Sequence, residues 1–82
     1  MYYIYILKSI NTDHYYTGYT DNLESRLNKH NSGKSKWTNR YKPWKIIYNE
    51  KIENKIDAIK REKYLKSHSG RNWLKNKINL GP

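Results

Sequence analysis

The sequence predicts a small α+β domain, a three-stranded antiparallel sheet flanked by helices in the order β-β-α-β-α-α. Two observations fix the sheet. Tyr2 to Leu7 runs unbroken in aromatic and aliphatic residues, and a second strand-like run from His14 to Thr20 follows the short polar turn Ser9-Ile10-Asn11-Thr12-Asp13. A third fixes the helices: capped segments with apolar residues at helical spacing occupy the remainder.

In the first strand, Tyr3, Tyr5 and Leu7 share one face and Tyr2, Ile4 and Ile6 the other, because side chains alternate along a strand. Gly18 interrupts the second strand, which predicts a bulge or the close approach of another group. The first helix reads from an Asp21 N-cap, with Glu24 completing a capping box, to a stop at Gly33. Leu23 and Leu27 form its packing stripe, while Arg26 and His30, four apart, project from one face a turn apart. Ser32 to Lys42 is a polar basic loop with room for a short helical turn. Pro43 then introduces a third strand, Trp44 to Tyr48. Asn54 starts a helix that ends near Ser67, with Ile56, Ala58, Ile59, Tyr64 and Leu65 as its apolar residues. Gly70 opens a last helix through Ile78, with Trp73, Leu74 and Ile78 on its apolar side.

The length of 82 residues predicts one small domain spanning the chain, too short for a second, cofactor-binding fold. Only 15 residues are Leu or Ile, with no Val or Phe, a composition that usually marks disorder. Nine tyrosines and three tryptophans reverse that reading, since disordered chains are poor in aromatics. With no cysteine, disulfides and Cys-type zinc sites are excluded. The absence of a signal-like leader and of a membrane-length apolar run makes the cytoplasm the expected location, with no membrane partner. A net charge of +10 points instead to a polyanion, foremost nucleic acid.

That charge is clustered. Ser25 through Asn49 holds seven basic residues and no acid, and Trp37 and Tyr41 are interleaved with Lys34, Lys36, Arg40 and Lys42. Cations neutralise phosphates and aromatics stack on unpaired bases, so this stretch reads as a nucleic-acid surface. Lys63 and Lys66 extend the basic character to the C-terminal quarter. There Glu62 is the only carboxylate side chain after Asp57, and on a helical wheel it falls inside the apolar arc. A carboxylate turned inward needs a cation, a donor or a metal; the plainer reading is an i,i+4 ion pair with Lys66. Tyr5 and Tyr16 are open to two readings as well, cross-strand packing or acid–base chemistry. A tyrosine, whose ordinary pKa is about 10, becomes a useful base only where positive charge lowers that value. His14 and His68 read as surface residues, whereas His30 shares its helix face with Arg26.

Together these residues resemble the GIY-YIG endonuclease family, especially its small single-domain bacterial members. Its two strand tripeptides appear as Tyr3-Ile4-Tyr5 and Tyr16-Thr17-Gly18, with ten residues between Tyr5 and Tyr16. Arg26 on the first helix, His30 one turn later and Glu62 in Lys60-Arg61-Glu62-Lys63 complete the ordered set. Lys42-Pro43-Trp44-Lys45 also looks like the single-domain members. Tyr3 stands where the family has Gly, Thr17 where it has Ile, and Tyr19-Thr20 occupies the region where many relatives carry a Lys. Asn72 corresponds to an Asn that some members place near the metal and phosphate.

The resemblance implies a divalent-metal endonuclease acting on DNA phosphodiesters. Glu62 would hold one Mg²⁺ or Mn²⁺, Arg26 would clamp a phosphate oxygen, and Tyr5, with Tyr16 and His30, would activate and position water. Branched, flapped or nicked DNA of repair or recombination is the expected substrate, RNA remains open, and sequence-specific cutting would need a targeting partner. The competing expectations are a nucleic-acid-binding module with little turnover, or a subunit that serves a partner nuclease.

Overall fold

The computed structural model describes residues 1–33 and 36–78, with only the backbone of Lys36. The described elements, in order, are strand β1 (Tyr2–Ser9), strand β2 (Tyr15–Thr20), helix α1 (Leu23–Asn31), the one-turn helix α2 (Lys36–Asn39), strand β3 (Trp44–Ile52), helix α3 (Lys55–Lys66) and helix α4 (His68–Ile78). The sheet has the order β2-β1-β3 with both pairings antiparallel, so β1 is central. The predicted α+β class and element order hold, with α2 as one added turn.

A central strand covered on both faces must be apolar on both, and β1 is. Ile4 and Ile6 face α3 and α4, where they pack with Ala58, Leu65 and Leu74. Tyr5 and Leu7 face the other way, packing with Trp44, Leu23, Leu27 and Tyr41. Ile4, Tyr5, Ile6, Leu7 and Leu65 are each at most 1% exposed. Fully burying one such aliphatic side chain contributes about 1.5–3 kcal/mol. The contrast within α3 is sharp: Ile56 and Tyr64, expected among its apolar residues, are 67% and 41% exposed.

β3 runs to Ile52, beyond the expected end at Tyr48. As an edge strand it tolerates the polar stretch Asn49-Glu50-Lys51, which hides it from pattern reading. The register on β1 shifts between Ile6, opposite Tyr48, and Leu7, opposite Ile46. This bulge changes the phase of alternation, so Ile46 packs toward Leu7 while Tyr48 packs with the α3–α4 cluster. Glu50, two residues on, meets Arg61 of α3 in a two-pronged pair of 2.7 and 2.8 Å. The Tyr48 hydroxyl donates to the same carboxylate, and the Arg61 guanidinium lies 4.7 Å from the Trp73 ring centroid. Arg61 holds the Glu50 carboxyl below its ordinary range, while burial and then Glu50 push Tyr48 up to about 12.

The caps correct one expectation. Asn22, not Asp21, is the N-cap of α1: its side chain accepts from Ser25 N–H at 3.0 Å. The Thr20 hydroxyl accepts from Asn22 N–H at 3.1 Å, setting the turn one residue later than the capping-box pattern suggests. At the far end Gly33 has φ 85°, the left-handed conformation that glycine adopts without strain after a helix. Asn54 caps α3 as expected. α4 begins at His68 rather than Gly70, with Ser67 Oγ accepting from Gly70 N–H at 3.2 Å. Gly70 answers to close approach: a Cβ there would lie 1.9 Å from the Tyr64 carbonyl oxygen.

Candidate active site

β1 and β2 position the first two residues. Tyr5 stands opposite Gly18, and Tyr16 opposite Leu7, so the tyrosines are diagonal rather than directly paired. Their ring centroids are 6.2 Å apart. The Tyr5 ring runs across Gly18 toward the free edge of the sheet, and a Cβ on Gly18 would stand 2.6 Å from the Tyr5 hydroxyl. Gly18 thus marks a close approach; the bulge lies on the β3 side of β1.

Helix α1 supplies the next two. His30 is 4% exposed, and its Nε2 lies 3.0 Å from the Tyr5 hydroxyl. Its Nδ1 lies 3.0 Å from Oγ1 of Thr38, a wholly buried residue of α2. Thr38 in turn accepts from the Trp44 indole N–H through its carbonyl at 2.7 Å. The Tyr16 ring centroid is 4.8 Å from that of His30. Among the described residues no buried side-chain polar atom lacks a partner.

Electrostatics bring in Arg26 and Glu62. Burial, followed by the neighbouring Tyr16, pushes the Tyr5 phenol well above its ordinary value; Arg26 opposes this and the Glu62 charge adds to it. Burial, then the charges of Arg26 and Lys29, hold His30 below its ordinary 6.5. Tyr5 is therefore a neutral phenol and His30 a neutral imidazole near pH 7. In the tautomer that fits a protonated Tyr5, its hydroxyl donates to Nε2 and Nδ1–H donates to Thr38. The positive charge of Arg26 lowers the Tyr5 value, as a tyrosine base requires, but burial outweighs it.

Glu62 combines both readings of its position. Its side chain is 17% exposed, turned toward the protein, and pairs with Lys66 at 3.6 Å across one helical turn. Among the described residues no three His, Asp or Glu side chains gather as a metal cage. A single inward carboxylate such as Glu62 suits a hard cation that keeps waters and takes substrate oxygens as further ligands.

The remaining candidates are more dispersed. Trp37 is 43% exposed, and Arg40, Lys42 and Lys63 are exposed. Lys66 is engaged by Glu62 rather than free. Asn72 is exposed and hydrogen-bonds His68 on its own helix, not the Tyr5 cluster. Lys34 and the side chain of Lys36 lie outside the described residues. A cleft beside β2, lined by Tyr16, Thr17, Leu65, Lys66, Arg71 and Lys75, adds two cations of the basic C-terminal quarter. Sequence reasoning also missed Thr38, which no local pattern marks, and discounted His14, which stacks on Tyr41.

A basic α+β domain that gathers tyrosine, arginine and histidine at a sheet edge, with one carboxylate nearby, suits phosphate chemistry. The chain belongs to the GIY-YIG family, a nuclease-domain family whose catalytic-domain model matches residues 1–79. It is similar to a UPF0213 protein of Staphylococcus haemolyticus, 39% identical over 74 residues that cover 89% of each chain. A UPF0213 protein of Clostridium perfringens is 46% identical over 67 residues, 80% of this chain and 71% of that one. The solution NMR structure of a UPF0213 protein of Bacillus halodurans is 31% identical, with a TM-score of 0.55 over 99% of this chain and 87% of that one. No described helix is long and apolar enough to cross a membrane.

Proposed function

We propose that residues 1–82 form one divalent-metal-dependent nuclease domain that hydrolyses DNA phosphodiester bonds. Branched, flapped or nicked DNA of repair or recombination is its substrate. The observation that carries this reading is the hydrogen-bonded Tyr5–His30 pair at the sheet edge, within electrostatic reach of both Arg26 and Glu62.

Glu62 would hold Mg²⁺ or Mn²⁺, which when bound supplies charge stabilisation at the phosphate and the leaving oxygen. Arg26 grips a nonbridging phosphate oxygen in its guanidinium fork. Tyr16, diagonal to Tyr5 and packed on His30, positions the attacking water. Tyr5 accepts the water proton as its own passes to Nε2 of His30, so no free phenolate has to form in a buried site. Arg26 is one cause of the low basicity of His30. A phosphate that neutralises Arg26 raises that basicity when the proton must be taken up.

The upward shift of Tyr5 and the Glu62–Lys66 pair favour one alternative: a binding module, or a subunit of a nuclease complex, with little turnover of its own. The two readings separate in a nicking assay on end-labelled duplex, flap and four-way-junction DNA, with Mg²⁺, Mn²⁺ or EDTA. The nuclease reading predicts metal-dependent cuts that favour the flap or junction. Binding without cleavage on every substrate and metal would establish the alternative.

A further inference from the structure

A group of aromatic side chains that this chemistry leaves unused lies where the β1–β2 turn meets α2. The His14 ring stacks on Tyr41, with centroids 3.7 Å apart and 14° between planes. Trp37 lies 5.2 Å from Tyr41 and 6.3 Å from His14, and is 43% exposed. Trp37 is also 6.0 Å from Tyr16, which is 4.8 Å from His30. A continuous series of rings therefore runs from the buried Tyr5–His30 pair out to an open aromatic surface.

Packing explains only part of this surface. Trp37 stacks on the buried Trp44, at 5.8 Å and 27°, and so anchors α2. That contact leaves much of the indole in water, where a large apolar group gains nothing. The charge around it is mainly positive. The Arg40 guanidinium is 6.0 Å from the Tyr41 ring, and Lys8 is 5.8 Å from the ring of the exposed Tyr15. The acid of the adjoining turn, Asp13, lies 4.0 Å from Lys8. Flat π faces with a cationic rim complement an unpaired base flanked by phosphates, which is how strands without a partner are held regardless of sequence.

On the reading that DNA is the substrate, we propose that Trp37, Tyr41 and His14 form a stacking subsite for an unpaired base beside the strand to be cut. The substrate class is then DNA with unpaired nucleotides next to the scissile bond, such as a flap or a gap, rather than continuous duplex. Trp37 is the principal contact because it is both the most accessible of the large rings and the link to Tyr16.

The test is binding in EDTA, which removes turnover, of a short labelled oligothymidine and of a duplex of equal length. Trp37→Ala should weaken oligothymidine binding roughly 5- to 150-fold, the range for loss of one stacked base. Trp37→Phe should recover most of it, and duplex binding should change much less. Should Trp37→Ala fail to fold, quenching of tryptophan emission by oligothymidine, reduced in Trp37→Phe, gives the same answer. Unchanged oligothymidine affinity in a folded Trp37→Ala, equal losses on both DNAs, or emission unaffected by a bound oligothymidine would overturn the subsite and leave the nuclease reading standing. Failure of the wild type to bind either DNA would overturn both.

Discussion

Tyr5 and His30 hold opposite ends of one hydrogen bond, and each is kept neutral by being buried. The consequence for stability has a definite sign. His30 binds a proton less readily in the folded state than in the unfolded chain, so the unfolded chain takes up more protons in acid. Stability should therefore fall as pH drops below about 6.5, the ordinary value of the group. Urea unfolding between neutral and mildly acidic pH should show this loss, and His30→Gln should remove that part of it. Tyr5→Phe leaves Nε2 of His30 unpartnered, at a cost of about 1–3 kcal/mol. It should also abolish metal-dependent nicking. A variant that cuts at the wild-type rate would remove Tyr5 from the chemistry. Spacing alone placed Arg26 and His30 on one helix face and left Tyr5 open to packing or chemistry; the family resemblance named the three together as site residues. Thr38 was not legible, since it reaches His30 through a tertiary contact between α1 and α2, eight positions apart in sequence.

At the scale of elements, two glycines set how closely neighbours approach. Gly18→Ala would drive a methyl into the Tyr5 hydroxyl, so the Tyr5–His30 bond should be lost while the sheet survives. We expect a stability loss of about 1–3 kcal/mol and a much larger loss of nicking, compared by urea unfolding and single-turnover cleavage on the same preparations. Gly70→Ala should do the reverse in kind. Its Cβ would meet the carbonyl backbone of Tyr64, which cannot swing aside, so α4 must shift as a whole. Its unfolding midpoint should drop more than that of Gly18→Ala. Asn22→Ala should cost about 1 kcal/mol as the loss of an N-cap, whereas Asp21→Ala should change stability little. That pair of variants decides between the observed cap and the one the capping-box pattern suggests. Strand β1 was legible from Tyr2 to Leu7 because burial on both faces left an unbroken apolar run, while its polar end, Lys8 and Ser9, was not. The outer half of β3 was not, because an edge strand carries Glu50 and Lys51 without penalty, and the carboxylate there is explained by its tertiary pair with Arg61 of α3.

Over the whole molecule, a net charge of +10 and a site at the sheet edge belong to one design. The basic stretch Ser25–Asn49 holds seven cations with no acid, and the cleft beside β2 adds Arg71 and Lys75. Seven phosphate contacts would give a slope of roughly −6 for log affinity against log salt on duplex DNA. A shallow slope from titrations at several salt concentrations would show that the charge serves solubility instead. The placement of α3 is the other global feature. The Glu50–Arg61 pair fixes that helix one residue before Glu62, and Leu65 anchors it one turn beyond. Glu62 is thereby held where its charge reaches Tyr5 from a different layer of the fold. The measurement that bears most directly on the account is single-turnover cleavage of a flap substrate by wild type and Glu62→Gln in Mg²⁺, with DNA affinity measured in EDTA on the same samples. Glu62→Gln should bind as the wild type does and should not cut. Cleavage by Glu62→Gln at the wild-type rate would contradict the assignment of the site.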